Sequence, residues 1–130
     1  MTRINVGIDP SELNMKMLMA EHREIKRIPN CVKKGRFSMV GQPREFTLNT
    51  GHVKFFYDKL GYLKNRYERL YNECVKRGFN VQYFGDAFDG IDKKYMNDYT
   101  ETERDRQLIL ERIKLRLSKN NVRVIETIWC

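Results

Sequence analysis

Within residues 51–80, apolar side chains recur in steps of three and four: Val53, Phe56, Leu60, Leu63, Tyr67, Leu70 and Cys74. At 3.6 residues per turn, that rhythm puts all seven on one face of a helix. A stripe of this length has to be covered by other elements, so it commits the chain to a helical core. Gly61 falls inside the stripe, where it costs about 1 kcal/mol relative to alanine, and it predicts a close helix crossing. Lys76 and Arg77 complement the negative end of the helix dipole, and Gly78 followed by Phe79 predicts a Schellman stop. His52, at the start, reads as a capping or buried polar group rather than a ligand.

A second helix is predicted over residues 11–29, with Asp9 as N-cap, Pro10 at the first helical position and Glu12 three residues after Asp9. Leu13, Met17 and Ala20 follow at helical spacing, and the next position on that row is Glu24, a carboxylate where the pattern asks for an apolar residue. Arg23 and Arg27 flank it, four apart on the adjoining face. Spacing alone allows either a solvated face laced with ion pairs or a catalytic acid beside two phosphate-binding arginines. A third helix is predicted from about Thr100, where Thr100-Glu101-Thr102-Glu103 fits a capping box. Leu110, Ile113 and Leu117 form its buried row, and Arg112 and Arg116 share another face. The connections are long. Residues 30–48 carry Lys33-Lys34-Gly35-Arg36 and the turn residues Gly41 and Pro43, and read as a solvated linker or as a loop gripping a phosphate backbone. Between residues 81 and 98, Tyr83, Phe84, Phe88 and Tyr95 could stack on bases or pack onto the helices. Residues 122–130, with the only tryptophan, Trp129, have no assignable pattern. The expected architecture is all-α: one compact domain, residues 1–130, of three main helices with long irregular connections.

Charge narrows the partners. With 25 Lys+Arg against 17 Asp+Glu the chain carries +8, which favours association with nucleic acid or an anionic surface. No apolar run approaches the ~18 residues of a membrane span, and no signal peptide opens the chain. Cys31, Cys74 and Cys130 are odd in number and widely spaced, as expected of reduced thiols in a cytoplasm. With only His22 and His52 and no Cys-x-x-Cys, a structural zinc site is not expected, and there is no Walker-type phosphate loop. Thr2 is small, so removal of the initiator methionine is expected to leave the α-amine on Thr2. An α-amine titrates near ~7.7–8.0, well below a lysine, so a substantial fraction is neutral and nucleophilic at physiological pH.

The words of the chain go further. MTRIN at the start, LMAEHRE with Arg27 after it, TGHVKFFYDKL, ECVKRGFN and the Asp98-Tyr99 pair resemble the bacteriophage pyrimidine-dimer DNA glycosylases, the small endonuclease V enzymes of ultraviolet repair. The resemblance runs from Met1 to about Asn120 and is weakest between Arg36 and Leu48. It implies a single all-α domain whose N-terminal segment threads between helices. It also implies a nucleophilic amine on Thr2, a catalytic glutamate at Glu24, and phosphate-binding arginines at Arg3, Arg23 and Arg27, with Arg112 and Arg116 on the third helix.

The implied activity is glycosylase and abasic-site lyase chemistry through a Schiff base. The implied substrate is pyrimidine dimers in double-stranded DNA, acted on by a monomer without cofactor or metal in the cytoplasm of a host cell. Two departures stand out. Met17 replaces a histidine of the first helix, and VRVIETIWC replaces an aromatic, basic tail implicated in gripping the lesion. Two other readings remain open: the same lyase chemistry on another modified base, and a non-catalytic basic helical module that binds DNA.

Overall fold

A computed structural model describes residues 2–119. In chain order the α-helices are α1 (Met15–Glu24), α2 (Arg27–Lys33), α3 (His52–Phe55), α4 (Leu60–Lys76) and α5 (Glu103–Lys119), with short 3-10 turns at Pro10–Glu12, Gly85–Phe88 and Lys93–Tyr95. The fold is all-α, as expected: among the described residues the only extended pairing is an isolated bridge between Lys59 and Met96. One hydrophobic core unites the elements. No helix among the described residues is long and apolar enough to cross a membrane.

The stripe beginning at Phe56 is the spine of that core. Phe56, Leu60, Leu63, Tyr67, Leu70 and Cys74 are all fully buried, whereas Val53 is only partly covered. The single long helix expected from His52 is divided, however, into α3 and α4. Phe55 and Phe56 are both fully buried, and neighbouring positions of a continuous helix point about 100° apart. Ending α3 at Phe55 lets both rings enter one cluster with Phe46, edge to face at 5.2–5.9 Å.

Gly61 serves a different approach from the predicted helix crossing. A Cβ there would lie 2.6 Å from the Met96 carbonyl, so it is a loop backbone that comes close. That loop also supplies the Asn97 carbonyl that caps the Tyr62 N–H at 3.1 Å. At the other end the predicted Schellman stop is present: Phe79 N–H bonds Cys74 O and Gly78 N–H bonds Val75 O, both at 2.9 Å, with Gly78 at φ +82°.

The helix expected over residues 11–29 is three pieces. Asp9 and Glu12 do form a capping box, but on the Pro10–Glu12 turn. Leu13 is extended, and Asn14 starts α1 by accepting the Met17 N–H at 2.8 Å. Pro29 sits in the first turn of α2, where no N–H is required. The phase of α1 changes as a result. Its buried face carries Leu18, Glu21 and His22 and continues to Ile25, while Met17 and Ala20 are only partly covered. Apolar spacing misread this face because two of its buried residues are polar.

The box that opens α5 also lies two residues later than predicted. Asp105 N–H donates to Thr102 Oγ1 at 3.1 Å, and Thr102 N–H donates back to Asp105 at 3.0 Å. Ile109 is fully buried there, with Leu110 and Ile113 packed partly buried against the core and Leu117 half-exposed. In the 81–98 connection Phe88 is buried and Phe84 and Tyr95 pack on the core, so these rings hold the fold together. Tyr83 stays half-exposed, its hydroxyl donating to Glu68.

Residues 2–8 thread between the helices, as the resemblance implied. Ile4, Val6 and Ile8 are buried core residues, and Thr2 and Asn5 are buried polar ones. With no sheet among the described residues to receive it, the segment is bonded by side chains from four helices. Ile4 N–H donates to His52 of α3, Asn5 to Glu21 of α1, Arg66 of α4 to the Ile8 carbonyl, and Arg106 of α5 to the Gly7 carbonyl. Gly7 N–H donates to Glu101, which also takes the Tyr62 hydroxyl. An amphipathic pattern cannot announce such a segment, because its partners come from everywhere in the chain.

Candidate active site

The candidate site residues fall into two charge clusters, one around Arg3 and one around Glu24. Arg3 leads out of the segment and donates from Nη1 to the Leu48 carbonyl at 2.8 Å. Its guanidinium pKa is pushed down by burial first, and then by Arg112 and Arg116 of α5. Like charges within reach of one another oppose each other's charged forms. Arg112 and Arg116 thus lie within electrostatic reach of the N-terminal segment.

The second cluster closes α1. Glu24 has only 15% of its side chain exposed, while Arg23 and Arg27 project into solvent at 60% and 53%. Their contacts with it are loose, 3.5 Å from Arg23 and 4.0 Å from Arg27. Pairs like these contribute about 0–1 kcal/mol to stability. The arrangement leaves two guanidiniums around one carboxylate, with most of their donors facing outward.

Contacts along the chain relate the clusters. Ile8 meets Arg66, Asn5 meets Glu21, and Ile4 meets His52, while the Leu13 carbonyl at the start of α1 takes Arg77 at the far end of α4. The segment therefore runs antiparallel to α1, and Thr2 lies toward the helix end that carries Glu24. Thr2 is three residues from Asn5, a reach of at most about 10 Å, and Glu24 is about one 5 Å turn beyond Glu21.

Sequence reasoning missed the polar layer beneath. Glu21 and Arg66 form an ion pair with each side chain 1% exposed. Arg66 Nη2 reaches the second Glu21 oxygen at 3.1 Å, and Asn5 donates to that oxygen at 2.7 Å. Burial alone would lower the Arg66 pKa; the Glu21 carboxylate outweighs it and the net shift is upward. Beside it the Tyr67 hydroxyl accepts the Phe84 N–H at 2.6 Å and lies 3.1 Å from His22 Nε2. The His22 pKa is lowered by burial, with Lys26 adding to the effect. The available signal was Arg66 itself, an ionic residue next to Tyr67 on the long apolar stripe. Phe46, buried between Arg104 and His52, had no signal in a loop that reads as polar.

Of the basic run in the 30–48 connection, Lys33 ends α2 and donates to the Asp86 carbonyl at 3.3 Å, and Lys34 and Arg36 are exposed. Among the described residues no three His, Cys, Asp or Glu side chains gather as a metal site would require. Trp129 and the rest of the tail lie outside the described residues. The pyrimidine dimer DNA glycosylase family model matches residues 1–84. That span holds the threaded segment, the Arg23–Glu24–Arg27 cluster and α4, while Arg112 and Arg116 lie beyond it. With nearly two thirds of the sequence matched, the chain belongs to the pyrimidine dimer DNA glycosylase family.

Proposed function

We propose that this glycosylase is also an abasic-site lyase that works through the Thr2 amine, with Glu24 as its catalytic carboxylate. The observation that carries the reading is the locked segment. The buried segment 2–8 is bonded by side chains from four helices, and its antiparallel run along α1 supports a Thr2 amine working toward the helix end that bears Glu24. An α-amine with an ordinary pKa near ~7.7–8.0 supplies neutral nucleophile without a buried lysine.

In this mechanism the amine lone pair attacks C1′, and the glycosidic bond breaks with its electron pair going to the departing base, which takes up a proton. Opening of the sugar ring at O4′ then gives an iminium between C1′ and the Thr2 nitrogen. The iminium acidifies the 2′ proton. Its removal expels the 3′ phosphate by β-elimination, and water hydrolyses the imine to free the amine. Glu24 stabilises positive charge on the sugar and accepts the 2′ proton. Arg3, Arg23, Arg27, Arg112 and Arg116 hold the flanking phosphates of a kinked duplex. We propose that the chain does this as a monomer and a single domain, residues 1–130, in a cytoplasm that keeps Cys31 and Cys74 as the free thiols they are.

Borohydride trapping on abasic and dimer-containing duplexes tests the reading. The expected product is a covalent adduct on both, mapped to Thr2 of a chain lacking Met1, with the abasic duplex reacting faster. Adducts on abasic DNA alone would favour a different modified base, in keeping with Met17. No adduct on either would leave a DNA-binding module.

A further inference from the structure

One side chain fixes the threaded segment close to Thr2 and has no part in the chemistry above. His52 is buried; its Nε2 receives the Ile4 N–H at 3.0 Å and its Nδ1 faces the Thr47 carbonyl at 2.8 Å. A carbonyl only accepts, so the proton is on Nδ1 and the lone pair on Nε2. Both ring nitrogens are thus used by a neutral imidazole. The rings of Phe46 and Phe56 meet it edge-on, with centroids at 5.3 and 5.5 Å. Burial holds its pKa down to about 4 against the pull of the Thr47 bond, and the charges of Arg3 and Arg112 act in the same direction as burial.

We propose that His52 is a positioning residue for the nucleophile: by accepting the Ile4 N–H it sets the register of the segment, and so the place of the Thr2 amine two residues away. The inference rests on the reading of Thr2 as nucleophile. Ile4 is fully buried, so water does not replace its hydrogen-bond partner. Among the described residues no strand offers a carbonyl there; the acceptor is a side chain. The same imidazole ties Thr47, and the next carbonyl along, Leu48, takes Arg3. The segment is therefore clamped to residues 47–48 from two sides, at the residues directly following Thr2. A misplacement of only about 1 Å between reacting groups can cost 10²-fold in rate.

Three variants separate this role from ring packing. His52→Phe keeps an aromatic ring against Phe46 and Phe56 and removes the acceptor. His52→Gln gives up the ring but can carry an amide oxygen to the Nε2 position, and His52→Asn gives up the ring without that reach. Single-turnover borohydride trapping on an abasic duplex is measured alongside duplex affinity. The expected result is a trapping rate at least about tenfold lower in His52→Phe and His52→Asn, largely recovered in His52→Gln, with affinity unchanged in all. Wild-type rate in a folded His52→Phe, or parallel losses of rate and affinity, overturns the proposal. Should His52→Phe fail to fold, the amide pair decides, since equal rates for Gln and Asn also overturn it. If the wild-type chain itself forms no adduct, the nucleophile reading falls and this one with it; if it reacts and the variants do not differ, this inference fails alone.

Discussion

Glu21 and Glu24 stand one turn apart on α1 and have opposite surroundings. Glu21 is sealed in the core, its two oxygens shared by Arg66 and Asn5, every partner within hydrogen-bond reach. Glu24 sits at the mouth of the helix between two arginines that barely touch it and face solvent. The inner carboxylate joins the N-terminal segment to two helices, so its worth lies in the fold. The outer one adds little to the fold, so a carboxylate there calls for another reason.

Glu24→Gln gives the largest expected effect. It removes the charge and keeps the shape, so cleavage of an abasic duplex in single turnover should fall by about 10²–10⁴, the usual share of a positioned acid–base group. Melting temperature and duplex affinity should hold. Near wild-type cleavage would return Glu24 to the solvated-face reading.

Glu21→Gln should do the reverse. It strands the Arg66 guanidinium in the core, and breaking a buried pair this way costs about 3–5 kcal/mol. Urea unfolding should show that loss, and pairing the change with Arg66→Met should restore much of it, because no uncompensated charge then remains in the core. If Glu21→Gln left stability intact while abolishing cleavage, the contrast between the two turns would be broken.

His52 belongs with the inner group, and pH exposes it. Its folded pKa of about 4 lies below the ordinary 6.5, so between those values the unfolded chain binds the proton and the folded chain does not. Stability is full above pH 6.5 and is lost as pH falls toward 4, by about 3 kcal/mol from this group. Imidazole resonances followed by NMR should leave His52 unshifted until well below pH 6. A midpoint near 6.5 would show that the ring is not held neutral, and would weaken the case that it carries the Ile4 bond.

The legible parts of this molecule were those with local causes. The α4 stripe and its Schellman stop are read from neighbours three and four apart, and so is the flanking of Glu24 by Arg23 and Arg27. The illegible parts were long-range and polar. Glu21–Arg66, His22–Tyr67 and Ile4–His52 join residues 45 or more apart, and polar groups on a helix face look solvated until the partner is known. That is why α1 was given the wrong phase and Arg66 passed unnoticed in the stripe. Segment 2–8, which looks like a frayed end by composition, was recovered only through the resemblance of its words. Phe46 and the division at residues 56–59 had no local signature.

The smallest effect expected concerns the outer arginines, and it turns on counting charge. Arg23 and Arg27 share one carboxylate, which leaves a net positive charge facing solvent, and Arg112 and Arg116 lie within electrostatic reach of Arg3. Arg69 makes the useful contrast. It is also about half exposed, but it pairs one to one with Asp9 at 3.1 Å, so no net charge is offered there. Each phosphate neutralised contributes about 0.9 to the slope of log affinity against log salt. Arg23→Ala, Arg27→Ala, Arg112→Ala and Arg116→Ala should therefore each flatten that slope by up to about one phosphate's worth, and Arg69→Ala should leave it unchanged. Fluorescence anisotropy of a labelled duplex over a salt series measures this without any cleavage. Were Arg69→Ala to flatten the slope and the other four leave it alone, the DNA would lie along the Asp9 side of α4. The clusters around Glu24 and Arg3 would then need another explanation.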